Sequence, residues 1–126
     1  AALALPQRPA QVLAELNERD FGELEGQPIP ALLDHRQMPP GGESWSQFCT
    51  RVIAGINQVL AEPGLAVVVA HGGVYRVLHE QMFGTPDCAP LANVTPMLMV
   101  PTGTAEWRVI GVQSPLSALL EEVVLV

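Results

Sequence analysis

Hydrophobic positions in this chain fall into a few well-formed stretches separated by glycine and proline. Over Ser44 to Gly64 the sequence SWSQFCTRVIAGINQVLAEPG sets Phe48, Val52, Ile56 and Val59 on one stripe at helical spacing. Ser44 followed by Gln47 three residues on is a capping-box signature, and Pro63 with Gly64 ends the pattern. Next comes LAVVVA, Leu65 to Ala70, a short unbroken apolar run rich in valine that predicts a strand buried on both faces. His71, Gly72 and Gly73 follow at once, and Val74, Val77, Leu78 and Met82 then recur at helical spacing until Gly84. Helix, strand, glycine turn and helix in this order predict an α/β domain with a mostly parallel sheet.

Weaker patterns flank that unit. Val12, Leu13 and Leu16 predict a short helix over 10–16, after Pro9. The stretch LNERDFGELEG, Leu16 to Gly26, reads as an acidic loop punctuated by glycines, the kind of segment in which functional residues concentrate. Pro28, Pro30, Pro39 and Pro40 leave room for no more than a short helix over 31–36. Further on, MLMV (Met97 to Val100) and EWRVIGV (Glu106 to Val112) predict a hairpin across PTGT, and Leu116 to Val126 carries a short helical pattern that ends in VVLV. Nothing repeats and no charge run or linker divides the chain, so 1–126 reads as a single domain.

Composition narrows the function classes. The longest apolar run has six residues, against the roughly 18 that a membrane-spanning helix needs. The six basic residues are all arginine, and thirteen carboxylates bring the net charge to −7. That balance excludes a nucleic-acid groove or an anionic membrane surface as partner, since both require clustered positive charge. A single phosphate is still accommodated, because backbone amides, a histidine and an arginine can build such a site locally. Cys49 and Cys88 fit neither a disulfide framework nor a four-ligand zinc site. They are expected to be reduced, which, with an apolar start at Ala1 to Leu5 that lacks a basic region, suggests a cytoplasmic protein.

His71 carries the most chemical information. It stands where a predicted buried strand gives way to a helix, the place where ligands collect in open α/β sheets. Gly72 and Gly73 let an anion approach the backbone, and the helix start offers free amides. Glu18 lies with Arg19, Asp20, Glu23 and Glu25 in the acidic loop, where like charges or a bound anion would favour the protonated carboxyl that a general acid needs. HGG also occurs in the oxyanion loop of lipases and esterases, but GESWS around Ser44 lacks the last glycine of a nucleophile elbow and follows MPPGG rather than a strand. His35 and His79 form no metal-binding pattern with a carboxylate, so no metal site is expected. Arg51 and Arg76 lie on predicted helices, from which each either points to the pocket or pairs with surface carboxylates, the second being the expectation.

LNERDFGELEG, PPGGES, the helix carrying TRV at Thr50 to Val52, VVVAHGGVYRVL and LANVT, taken in this order, resemble the histidine phosphatase superfamily, the phosphoglycerate mutase-like proteins. The resemblance runs from about Leu16 to Val109. It implies a three-layer α/β/α fold with a mostly parallel sheet, and phosphoryl transfer through a phosphohistidine without a cofactor or metal. Carried over by motif, Glu18 matches the proton donor to the leaving oxygen, His71 the second active-site histidine that stabilises the transferring phosphoryl group, and Gly72 a backbone amide for the phosphate. Glu43 and Ser44 match the family's G-E-S element, and Asn93 an asparagine near the last strands.

The family's nucleophile lies in an R-H-G motif, and that tripeptide is absent from these 126 residues. The resemblance therefore implies a domain incomplete at its N-terminus, with the first strand and helix missing and the chain inactive by itself. The interval from Glu18 to Gly42 is short, as in the small phosphatases rather than the mutases. The expected activity is phosphomonoester hydrolysis, with a mutase-type phosphotransferase and a non-catalytic phosphate-binding domain as alternatives. The expected partners are a small phosphorylated substrate and, as a homodimer, a second copy of the chain.

Overall fold

The computed structural model describes residues 10–28, 34, 36–64, 66–93, 95–101 and 107–111. They fall into two compact units, one reaching to Cys88 and the other starting at Ala89. The first unit is built on two helices, α1 (Trp45–Leu60) and α2 (Gly72–Phe83). Helix α1 begins as its sequence predicts. Gln47 donates its backbone N–H to Ser44 Oγ at 3.2 Å, and Ser44 returns its own N–H to Gln47 Oε1 at 2.9 Å.

Helix α2 starts two residues earlier than the apolar pattern alone indicates, with His71 as its N-cap. It ends at Gly84, whose φ of 76° is the left-handed conformation that glycine adopts without a Cβ penalty, and the Gly84 N–H closes the last turn on the Glu80 carbonyl at 2.8 Å. Phe48 and Val52 from α1 meet Val74 and Val77 from α2 in a fully buried core, with Leu16, Trp45, Cys49, Ile53 and Ile56 packed around it. A polar clamp beside this core ties the helices together. Glu80 of α2 accepts the Trp45 indole N–H at 2.7 Å and the Cys49 thiol at 3.6 Å. Burial, followed by the Glu80 charge, pushes the Cys49 thiol up to about 11, so it is an un-ionised packing group at neutral pH. Cys49 and Cys88 are both free thiols.

Two expected elements differ. Over 10–16 there is no α-helix, only the 3-10 turn Ala14–Leu16, after which Asn17 is extended. Seven residues are too few to hold a helix without packing, and Val12, 89% exposed, has nothing to pack against. Residues 66–70, expected as a buried strand, take part in no ladder among the described residues, and Val67 and Val69 are 41% and 76% exposed. The apolar run specifies what these residues would bury; a strand also needs a neighbour to take its N–H and C=O groups, and among the described residues no strand pairs with it.

The second unit holds the hairpin β1 (Met97–Pro101) and β2 (Trp107–Gly111), antiparallel, with Met99 opposite Val109. Helix and sheet are thus both present, but the sheet among the described residues is two-stranded and antiparallel, and the parallel three-layer arrangement does not appear in them. The residues of PTGT after Pro101, the segment 31–33 and the tail 112–126 lie outside the described residues.

Gly55 marks the closest approach of α1 to the turn at Ala14–Leu16. A Cβ at this position would lie 2.7 Å from Glu15 Cβ and 3.0 Å from Leu16 Cδ2. On an open helix face Gly→Ala stabilises by about 0.5–1 kcal/mol, whereas overpacking costs about 1–3 kcal/mol. Gly55→Ala is therefore expected to lower the unfolding free energy by roughly 1 kcal/mol or more in urea denaturation. A gain in stability would show that the turn moves aside freely.

Candidate active site

The acidic loop is closed at its base by short backbone contacts. Glu43 donates its N–H to the Asp20 carbonyl at 2.9 Å, Glu23 donates to the Pro40 carbonyl at 3.0 Å, and Asp20 Oδ1 accepts the Gly22 N–H at 2.8 Å. Gly22, at φ 54°, and Gly42 lie back to back. A Cβ on Gly42 would stand 2.6 Å from the Asp20 carbonyl oxygen, and one on Gly22 would collide with the Pro40 carbonyl. Residues 20–23 and 40–43 thus approach as closely as two backbones can, and this brings Glu43 alongside Glu18.

Two arginines hold the loop from inside. Arg19 is 3% exposed and donates Nε to the Glu43 carbonyl at 2.9 Å and Nη2 to the Gln37 carbonyl at 2.8 Å, with its guanidinium over the Phe21 and Trp45 rings. Burial pulls its pKa below the ordinary arginine value, against the nearby Glu43 charge. Arg51 reaches across from α1. Its Nε and Nη2 take Glu43 Oε1 and Oε2 at 3.0 and 2.7 Å, a two-point fork. Its Nη1 donates to the carbonyls of Ala14, Glu15 and Asn17 at 3.2, 2.8 and 3.1 Å, and Nη2 reaches the Glu18 carbonyl at 3.4 Å. The hydrogen bonds from Arg51 hold the Glu43 carboxyl below the usual glutamate range, and Glu43 in turn raises Arg51.

Glu18 projects from this clamp toward the start of α2. Its Oε1 accepts the Arg19 N–H at 2.8 Å and its Oε2 the Gly73 N–H at 3.1 Å. The fit is tight enough that a Cβ on Gly73 would run into the Glu18 carboxylate. His71, one turn-start earlier, is exposed, and its side chain makes no capping hydrogen bond. Gly72 is open, with nothing within 4 Å of where a Cβ would sit. The first amides of α2 have no intrahelical acceptor and lie at the positive end of the helix dipole. The structure thus brings Glu18 to the same helix start that carries His71 and Gly72, and the amide it engages is that of Gly73.

Other candidates are committed elsewhere. Ser44 Oγ caps α1, so the esterase-like GESWS holds a helix start and not an elbow. His79 donates Nδ1 to the Thr85 carbonyl at 2.6 Å and stacks on Phe83, and Arg76 donates to the Pro86 carbonyl at 3.2 Å, so both fasten the end of α2. Asn93 is exposed in the second unit, and His35 lies outside the described residues. An open depression of about 480 Å³ is lined by Glu18, Asp20, Glu43 and Arg51, among others, and not by His71 or Gly72. Three carboxylates beside an arginine already forked onto one of them make it a poor seat for phosphate. Among the described residues no group of three or more His, Cys, Asp or Glu side chains could hold a metal ion.

The sequence names Glu18, His71 and Gly72 as candidates, and the structure places all three at or against the start of α2; the sequence leaves Arg51 as a pocket residue or, by preference, a surface ion pair, without its hold on the backbone. The available signal was the spacing of Glu43 and Arg51, eight residues apart across the Ser44 cap, a little over two helical turns.

The profile of the histidine phosphatase superfamily (branch 1) matches residues 1–95. A 2,3-bisphosphoglycerate-dependent phosphoglycerate mutase of Cytophaga hutchinsonii is 33% identical, with 66% of this chain and 49% of the relative covered. The chain thus spans about half the length of this curated relative. No solved structure matches the chain. Among the described residues no helix is long and apolar enough to cross a membrane.

The ion pair sets a pH dependence. Because the folded pKa of Glu43 lies below its unfolded value, its stabilisation is present above the unfolded value, about 4.3, and is lost as pH falls through the folded one. Unfolding free energy is expected to drop on acidification below that point, and Glu43→Gln is expected to flatten this limb of a denaturation–pH series. An unchanged slope in the variant would remove the pair from the account.

Proposed function

Because this chain belongs to the histidine phosphatase superfamily, we propose that it supplies the proton-donor side of an active site that hydrolyses phosphomonoesters. The observation that carries the proposal is the bond from Gly73 N–H to Glu18 Oε2, which holds a carboxyl group against the helix start beside His71. The attacking histidine lies, in this reading, in polypeptide outside these 126 residues, within a three-layer α/β/α domain whose parallel sheet takes in residues 66–70. Support for that arrangement comes from the exposure of Val67 and Val69, apolar side chains that a neighbouring strand and helix would cover.

In the first step the histidine nitrogen attacks phosphorus as the bond to the leaving oxygen breaks, and protonated Glu18 delivers its proton to that oxygen. In the second step the Glu18 carboxylate takes a proton from the water that attacks the phosphohistidine, which returns the acid to its starting form. Charge grows on the equatorial phosphoryl oxygens in both steps. The His71 ring and the Gly72 amide, at the positive end of α2, meet that charge without having to reorganise. Two free cysteines fit a cytoplasmic setting for this chemistry.

The name of the Cytophaga hutchinsonii relative favours a second reading, transfer of the phosphoryl group to another substrate hydroxyl. The short interval between Glu18 and Gly42 favours water as acceptor. Release of inorganic phosphate from a phosphomonoester by the full-length protein supports hydrolysis, and an isomeric phosphomonoester without phosphate release overturns it.

In the full-length protein His71→Ala is expected to lower kcat about 10²- to 10³-fold, the usual scale for a preorganised charge-stabilising group. Glu18→Gln is expected to depress turnover of alkyl phosphates far more than that of p-nitrophenyl phosphate, whose leaving group needs no proton. Full turnover in folded His71→Ala, or equal losses on both substrates in Glu18→Gln, would reject the corresponding role.

A further inference from the structure

Residues 17–20 belong to no helix or ladder, yet Glu18 leaves the backbone there in a fixed direction. What fixes the backbone is Arg51. Four carbonyls from one short segment, those of Ala14, Glu15, Asn17 and Glu18, converge on its guanidinium, while both oxygens of Glu43 occupy the opposite edge. Glu43 is itself anchored through its N–H to Asp20 and its carbonyl to Arg19, on the other side of Glu18. The pair therefore grips the chain on both flanks of the carboxyl group, and α1, held by the buried core, is the rigid base from which it does so.

We propose that Arg51, oriented by Glu43, is a positioning residue for Glu18, setting the direction from which the carboxyl group meets a leaving oxygen. This inference rests on the reading of Glu18 as proton donor. Arg51 acts through the backbone and meets no substrate. Its planar fork performs the task, because several N–H groups in one plane are required to hold two carboxylate oxygens and four carbonyls. A lysine would keep the charge and lose the directions.

The test uses the full-length protein with Arg51→Lys, Glu43→Gln and Glu18→Gln, singly and in pairs with Glu18→Gln. Turnover is read on an alkyl phosphomonoester and on p-nitrophenyl phosphate. Displacing an acid by an ångström or so costs up to about 10²-fold, so Arg51→Lys is expected to lower alkyl phosphate turnover about ten- to a hundredfold. The p-nitrophenyl rate is expected to fall less than about threefold, and Arg51→Lys is expected to add nothing once Glu18 is already Gln, as for two groups acting as one unit.

Equal losses on the two substrates, or a full additional loss in the Glu18→Gln background, would make Arg51 a structural residue only and overturn the proposal. If Glu18→Gln shows the leaving-group preference and neither Arg51→Lys nor Glu43→Gln does, the positioning role alone falls. If Glu18→Gln shows no such preference, the proton-donor reading falls and takes this proposal with it. Glu43→Gln keeps the size of the side chain and removes the charge, so it carries the same test should Arg51→Lys fail to fold.

Discussion

Backbone carbonyls that leave regular structure must find donors elsewhere, and in this chain one guanidinium, that of Arg51, meets the requirement for the four it gathers ahead of and beside Glu18. Between Leu16 and the start of α1 the polypeptide has only brief turns among its described residues, so its carbonyls have few partners of their own. Arg51 collects those of Asn17 and Glu18, together with Ala14 and Glu15 just before them, and, through Glu43, joins the two ends of the loop. The pair is partly exposed, 27% for Arg51 and 15% for Glu43, so solvent screens its Coulomb energy. Its importance is therefore geometric. The hydrogen bonds are directional, they all converge on one rigid plane, and that plane rides on a helix locked by Phe48 and Val52.

The rest of the site inherits its order from this arrangement. With residues 14–20 fixed against α1, Glu18 reaches the opening turn of α2, and the glycine at position 73 is the residue type that leaves room for it. Arg19, Arg51 and Arg76 all donate to carbonyls, while His71 stands at the start of α2, the positive end of the helix dipole. Half of the six arginines are thus used to organise the backbone. In the proposed enzyme, further positive charge comes with the part of the polypeptide that brings the attacking histidine.

Much of this was legible in the sequence where the signal is local. The Ser44–Gln47 box, the Phe48–Val52 stripe, the glycine stop after Phe83 and the late hairpin are each encoded within a few residues, and each is found. Glu18 and His71 were legible as chemistry, since a carboxyl in a glycine-marked loop and a histidine at a helix start are recognisable types. Residues 10–16 and 66–70 do not form their expected elements among the described residues, for a common reason. An apolar pattern states what a segment could bury, and neither Val12 nor Val69 has the neighbour that would complete the element. Of the partners of Arg51 only Glu43 could be marked by a side-chain pattern, because the others are carbonyls, which every residue has.

The contact between Gly22 and Gly42 has an evolutionary meaning. These residues form a neck, with the Glu23–Pro40 and Glu43–Asp20 hydrogen bonds on either side of it, and in the sequence Leu24 to Pro39 separates its two sides. Once the neck is closed, lengthening the excursion adds little, about 0.6 kcal/mol for each doubling of a flexible loop. Glu18 is on the near side, and only the Gln37 carbonyl, held by the neighbouring Arg19, carries a change of the far segment back to it. Changes of length between Leu24 and Arg36 therefore cost little as long as the neck and that one hydrogen bond are kept.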